Sequence, residues 1–438
     1  MTYSSLLPLF IDPNLGLVLV GVFLLLVFFR VPLFLALYVP PLFYLLYFDI
    51  SVFVAVQRSI RILNNFTLLA VPLFIFLGTL MSHSGIADRI LQFASDVLGD
   101  TRGGLAQVNI LASLVFSGMS GSALADVGSI GKIIIPTMKE HGYSSHYSAA
   151  LTSASATTGP IFPPSVPIII FGIIAGVSVL DLFIAGIVPA LLIVVLLMIV
   201  TFLLGYRHDF PVGDSVELSI KLRSFVSALP FLSVPVVLVG GMLLGFYGPT
   251  EVAVATVVYL IFILLFLPDR LRIPNYLWSA SVETVRINAI IMVIVPGAAL
   301  FSWVLSLERT AGAFAAILFS ITTEVILLLL LINIFLLILG LFLDAVSALL
   351  VSIPLVFPVA VDLGLDPVHT GIIMVFNLMI GLLTPPVGLS LYLSSEIAEA
   401  PVDKVIKSTV PYYIALLVCL LLITYIPSLS LWLPGVVR

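Results

Sequence analysis

The sequence predicts an all-α polytopic membrane protein built as an inverted repeat, with two re-entrant helical hairpins and two broken transmembrane helices. Three observations carry this expectation: a composition too apolar for a water-facing surface, a set of glycines and prolines that recurs at one fixed spacing, and two Gly-x3-Pro-Pro interruptions inside apolar runs.

Of 438 residues, 61% are hydrophobic and 9% charged, whereas soluble domains are nearer half apolar and a quarter charged. Seventeen basic and 22 acidic side chains cannot cover the surface of one soluble core of that length, so lipid must solvate most of it. The net charge of −5 is spread over many short loops, which leaves no footprint for nucleic acid. Cys419 is the single cysteine, so an internal disulfide and a cysteine cluster are both excluded. The opening residues, MTYSSLLPLFIDPN, carry no basic n-region and no cleavage signal, and the apolar run after them is expected to be a retained span. No H-x-x-x-H occurs, and His83, His141, His146, His208 and His369 fall near predicted interfaces, so no transition-metal site and no cofactor are expected.

Apolar runs of about 20 residues can cross the hydrocarbon, and they divide the chain into five parts. Residues 1–83 hold scaffold spans, including 15–29 and 31–48. The first repeat, 84–206, opens with GIADRILQFASDVLG, whose Ile86, Ile90, Leu91, Ala94, Val97 and Leu98 share one helical face, as in an interfacial helix. It continues with a hairpin at 104–135 interrupted by SGMSGS, a broken span at 144–177 and a plain span at 182–206. Residues 207–305 supply further scaffold: SVELSIKLRSF at 215–225, whose period-two alternation marks a connector, then spans 229–247, 251–267 and 288–305. The second repeat, 306–428, holds a hairpin at 324–361 interrupted by GLFLDAVS, a broken span at 367–397 and a span at 411–427, and 429–438 is the tail.

The repeat is exact in register. Gly118, Ala123, Pro136, Gly142, Gly159, Pro163, Pro164, Asp181 and Pro189 each have an identical residue 222 positions later, ending at Pro411. Most are Gly or Pro, the residues that set backbone shape, so the halves share an architecture. Lys and Arg give the orientation. Arg102, Lys132 and Lys139 flank the first hairpin, whereas VDLGLDPVH after the second has no Lys or Arg, so the hairpins enter from opposite sides. With the first opening to the cytoplasm and both termini outside, thirteen Lys and Arg fall inside against four outside.

The interruptions carry the chemistry. A proline removes the hydrogen bond to the carbonyl four residues back. Pro163 and Pro164 therefore free the carbonyls of Gly159 and Pro160, and Pro385 and Pro386 free those of Gly381 and Leu382. Orphaned backbone oxygen is tolerated at membrane depth only where protein, water or an ion satisfies it, and a hard cation is an obvious partner. Thr157, Thr158, Asn377 and Thr384 add hydroxyl and amide oxygens nearby. At the hairpin tips, Ser117, Ser120 and Ser122 in SGMSGSALAD face Gly340 and Asp344 in LGLFLDAVSA, with Asp344 aligned to Ser122. Simpler roles stand beside these. A hydroxyl in a span can bond back to its own helix, Asp344 can be an N-cap, Asp126 suits a structural role, and Asp181 and Asp403 suit solvated faces. Gly118-Met119-Ser120-Gly121 matches the GxSG of rhomboid-type intramembrane proteases, but no predicted span has a histidine base at its centre.

With VPLFIFLGTLMSHSGIADRI, RGGLAQVNILASLVFSGMSGSALADVGSIGKIIIPTMKEHGY, TTGPIFPPSVP, GPTEVAVA and LDPVHTGIIMVFNLMIGLLTPPVG, the chain resembles the large membrane subunit of the TRAP (tripartite ATP-independent periplasmic) transporters, in the ion transporter superfamily, over nearly its full length. The resemblance implies an elevator-type, ATP-independent symporter and no enzyme: a domain holding both hairpins and both broken spans slides against a scaffold, driven by Na+ as coupling ion. One sodium site would comprise Ser120, Gly121, Ser122, Thr158, Gly159 and Pro160, and the other Gly340, Asp344, Asn377, Gly381, Thr384 and Pro385. Substrate, a small organic acid, would lie between them near Ser120, Ser122, Asp344, Pro163 and Pro385, its carboxylate facing half-helix N-termini. The resemblance further implies a bacterial or archaeal inner membrane, a separate small four-helix membrane subunit and a soluble periplasmic binding protein. The span beginning near residue 15 is expected to leave no room for the small subunit as an N-terminal fusion. A self-sufficient dicarboxylate/sodium symporter of the same superfamily is the alternative.

Overall fold

In lipid a backbone must satisfy its own polar groups, which leaves helices as the spanning structure for runs like these. The computed structural model describes residues 12–98, 101–120, 122–207, 210–212, 216–244, 248–266 and 270–437, and among them the only β pairing is an isolated bridge between Arg102 and Val212. Among the described residues, seven helices are long and apolar enough to cross a membrane.

The N-terminal scaffold comprises α1 (Pro13–Phe28), α2 (Leu33–Tyr47), α3 (Phe53–Leu63) and α4 (Ala70–His83). Asp12 caps α1, its side chain accepting from the Asn14 N–H, and Pro13 occupies the first turn, where no N–H is needed. A 3-10 turn, Phe66–Leu69, leads into α4, and together they make an 18-residue spanning segment that is absent from the runs picked out above. It is bounded by polar Asn64 and Asn65 and by Ser82 and His83, which shorten its apolar window.

The first repeat folds as α5 (Ile86–Leu98), α6 (Gly104–Ser120), α7 (Ala123–Ser129), α8 (Gly131–Glu140), α9 (Ser145–Ala156), α10 (Val166–Ala175) and α11 (Val179–Arg207). Ile86 and Ile90 of amphipathic α5 are buried, as its periodicity requires. The middle scaffold is α12 (Leu218–Leu243), α13 (Pro249–Leu265) and α14 (Ile273–Leu307), followed by α15 (Thr310–Ile321). The second repeat supplies α16 (Val325–Phe342), α17 (Ala345–Asp362), α18 (Pro367–Gly381), α19 (Leu389–Ala398) and α20 (Val402–Tyr425).

Several expectations give way to the structure. The alternating segment 215–225 is helical from Leu218 onward, forming the first two turns of α12, a helix continued by the buried Ala228, Phe231 and Val234. The span placed at 288–305 begins about four turns earlier, at Ile273. The tail is helical, with α21 (Ser428–Val437) packed on α11 and α18. Asp181 is 8% exposed rather than solvated, since it sits in the first turn of α11 where the helix N-terminus stabilises a carboxylate.

Packing follows the repeat. The first hairpin arm lies on the first half of the broken span in both halves, α6 on α9 and α16 on α18. The second halves of the broken spans cross over, α10 packing on α17 and α19 on α7. Ser153 of α9 donates to the Ser394 hydroxyl of α19 at 2.6 Å, and the Tyr147 and Tyr412 hydroxyls meet at 2.7 Å, so buried polar contacts join the halves at their centre. Around this body stand α4 against α13 and α14, and α14 against α2 and α3.

Candidate functional site

Both interruptions occur where prolines end a helix. α9 stops at Ala156 and α10 resumes at Val166, and α18 stops at Gly381 and α19 resumes at Leu389. The new helices need caps. Ser165 caps α10, accepting from the Ile168 N–H at 3.2 Å, and Gly388 opens α19 in the left-handed region at φ 38°. At the tips the aligned residues Ser122 and Asp344 are both N-caps. Ser122 accepts from the Ala125 N–H at 3.4 Å. Asp344 accepts from Val346 N–H at 3.2 Å and Ser347 N–H at 3.3 Å, and also from the Ser347 hydroxyl. Asp344 is thus an N-cap and, at the same time, a cavity residue.

Three of the four freed carbonyls find protein donors. The Ser165 hydroxyl donates to Pro160 O at 2.5 Å, Thr384 N–H to Gly381 O at 2.9 Å and Ser390 N–H to Leu382 O at 3.2 Å. The expectation that a cation must compensate these oxygens is therefore too strong, because the chain after each break turns back far enough to donate. Side-chain oxygens near the breaks are left over as well. Thr158 Oγ1 and Asn377 Oδ1 belong to fully buried residues and have no hydrogen-bond partner. A buried oxygen without a donor costs about 1–3 kcal/mol, and a hard cation accepts such ligands.

Of the second set, two glycines are brought into contact. Gly340 and Gly381 touch backbone to backbone: a Cβ on Gly381 would lie 2.6 Å from Gly340 Cα. Asn377, one turn earlier on α18, bonds to Asn333 of α16. Thr384 Oγ1 lies 3.0 Å from Ile380 O and 3.2 Å from the Tyr413 hydroxyl, so the end of α18 and α20 hold it. Of the first set, Ser122, Thr158, Gly159 and Pro160 are described, while Gly121 and the side chain of Ser120, and with them the GxSG motif, lie outside the described residues.

A cavity of about 360 Å³ joins the two halves. On one side it is walled by Ser122 and Ser129 of the first hairpin, Pro160 and Val166 of the first broken span, Asp344 at the second tip and Leu382 at the second break. On the other it meets Thr79 and Ser82 of α4 and Glu283 and Ile287 of α14. Pro163 and Pro385, expected at the substrate, are not among its walls. The residues that face it, Pro160 and Leu382, precede the prolines because the chain opens on the carbonyl side of each break; Pro163 is buried and Pro385 faces outward. Among the described lining residues there is no Lys or Arg, so positive potential comes from the N-termini of α10 and α17. The scaffold wall had no local signal in the sequence. Glu283 pairs with His83 at 2.7 Å across α14 and α4, two hundred residues apart.

A helical membrane chain whose two related halves present their interruptions to one cavity, against a scaffold of separate spans, is a membrane transport protein. The sequence model of the family described as "Tripartite ATP-independent periplasmic transporter, DctM component" matches residues 20–429. The chain belongs to that family. It is 37% identical over 380 residues to the sialic acid TRAP transporter large permease protein SiaM of Vibrio cholerae, covering 87% of this chain and 89% of that one. Against the C4-dicarboxylate TRAP transporter large permease protein DctM of Pseudomonas aeruginosa it is 37% identical over 372 residues, covering 85% and 87%. Among solved structures, the YdaH transporter of Alcanivorax borkumensis superposes with a TM-score of 0.62 at 16% identity over 87% of each chain, a likeness of fold.

Proposed function

We propose that this chain is the Na+-coupled large permease of a three-component importer for a small carboxylate in a bacterial or archaeal inner membrane. The observation that carries the proposal is the cavity between the two tips, bounded on one side by the repeat body and on the other by α4 and α14. A site at that seam is exposed to either face when the body slides along the scaffold, which is the elevator mechanism. The α10 and α17 N-termini favour a substrate carboxylate, and Thr158 Oγ1 and Asn377 Oδ1 are the buried oxygens suited to Na+. The remaining ligands are Ser120, Gly121, Ser122, Gly159 and Pro160 at the first site and Gly340, Asp344, Gly381, Thr384 and Pro385 at the second. Ser120, Ser122 and Asp344 face the substrate. A separate small membrane subunit and a periplasmic binding protein complete the system, the latter choosing the acid.

The test is uptake of a radiolabelled acid by proteoliposomes with and without the small subunit and binding protein, in NaCl and in choline chloride. Uptake confined to NaCl and to the complete system is expected. Full uptake in choline would remove the sodium coupling, and uptake by the large chain alone would favour the self-sufficient symporter.

A further inference from the structure

The second half of the chain contains a buried amide pair that the first half lacks. Asn377 Nδ2 donates to Asn333 O at 3.0 Å and to Asn333 Oδ1 at 2.7 Å. Asn333 Nδ2 in turn donates to Thr424 Oγ1 at 3.1 Å. All three side chains are buried, with exposures of 0, 2 and 2% for Asn377, Asn333 and Thr424. The arrangement admits one orientation. A backbone carbonyl can only accept, so Asn377 must turn its NH2 towards α16; the Asn333 oxygen must then face Asn377, and its NH2 must face Thr424. The consequence is that Asn377 Oδ1 is held on the edge away from Asn333, where it has no donor.

The backbone places that oxygen beside the break. Gly381 packs on Gly340, and Asn377 on Asn333, so α18 and α16 run side by side in the same direction with Asn377 one turn ahead of the interruption. The aligned residues of the first half, 222 positions earlier, are Leu111 and Ser155. There Ser155 is satisfied by the Ser113 hydroxyl at 2.8 Å and by Thr152 O at 3.1 Å, and offers no orphan oxygen.

We infer that Asn333, fixed by Thr424, is a positioning residue that locks the Asn377 side chain with its oxygen presented to the cation of the second site. This rests on the sodium-coupled function proposed above. Without the Asn333 side chain the amide keeps its bond to the backbone carbonyl at 333 but loses the 2.7 Å bond that fixes its plane, so the oxygen is presented less rigidly and cation affinity falls while the substrate cavity, which neither residue lines, is untouched.

The experiment measures uptake by the full complex in proteoliposomes as a function of Na+. Asn333→Leu is expected to raise the Na+ concentration for half-maximal uptake about tenfold or more, the usual effect of losing a partner behind a metal ligand, with substrate KM at saturating Na+ unchanged. Thr424→Val should shift it in the same direction by a smaller factor, and Thr424→Ser, which keeps the hydroxyl, should behave as the parent. A merely structural role would not produce this split or the serine rescue. Unchanged Na+ dependence in Asn333→Leu overturns the inference; if that variant does not assemble, equal Na+ dependence of Thr424→Val and Thr424→Ser overturns it. A parent protein whose uptake ignores Na+ overturns the proposed coupling itself, which distinguishes the two failures.

Discussion

Thr158→Val separates a cation ligand from a mere polar defect, because the two roles predict opposite signs. The hydroxyl is fully buried at the first break, with no partner for Oγ1. Valine keeps the shape and removes the oxygen. In choline chloride the variant should be more stable than the parent by about 1–3 kcal/mol, the cost of an unsatisfied buried group. In NaCl the difference should move towards the parent by up to about 2.7 kcal/mol, closing or reversing the gap. An ion at a hundredfold its Kd stabilises the parent by about 2.7 kcal/mol, and the variant should lose most of that increment. Thermal melts of the purified protein in the two salts at equal ionic strength give both numbers from one preparation. If Thr158→Val keeps the full sodium-dependent rise in melting temperature, Thr158 does not touch the ion and the first site is misplaced.

Other substitutions probe the remaining geometry. Gly381→Ala places a methyl 2.6 Å from the Gly340 backbone, which cannot yield as a side chain would; a loss of more than about 1–3 kcal/mol is expected, seen as lower melting temperature regardless of salt, and unaltered stability would show that α16 and α18 separate easily. Asp344→Asn keeps a side-chain acceptor for the Val346 and Ser347 N–H groups but removes the charge, so the fold should survive while Na+-dependent uptake falls; Asp344→Ala should add about 1 kcal/mol of lost capping. Uptake by Asp344→Asn at the parental rate and sodium dependence would reduce the residue to a cap.

Much of this architecture was legible because glycine and proline report backbone shape directly. The 222-residue register from Gly118 to Pro411 includes the Gly and Pro residues of both helix interruptions, and the cap pair Ser122 and Asp344 fell on aligned positions. What could not be read depended on three-dimensional neighbours. Ser165 and Ser390 satisfy freed carbonyls only after the chain has turned, and no spacing rule announces that return. Glu283 and Thr79 reach the cavity through the packing of α14 on α4, far apart in sequence. Asn333 looks like an isolated polar residue in an apolar arm until Asn377 and Thr424 are placed beside it. The alternation in 215–225 misled because a few residues of pattern weigh little against a long helix's contacts.

The crossing of α10 onto α17 and of α19 onto α7 makes the two halves interdependent. Val166 through Gly172 are buried along α10, much of that surface against the opposite half. Either half alone would leave this surface bare, so each repeat completes the other's fold and the two cannot be separated without exposing it.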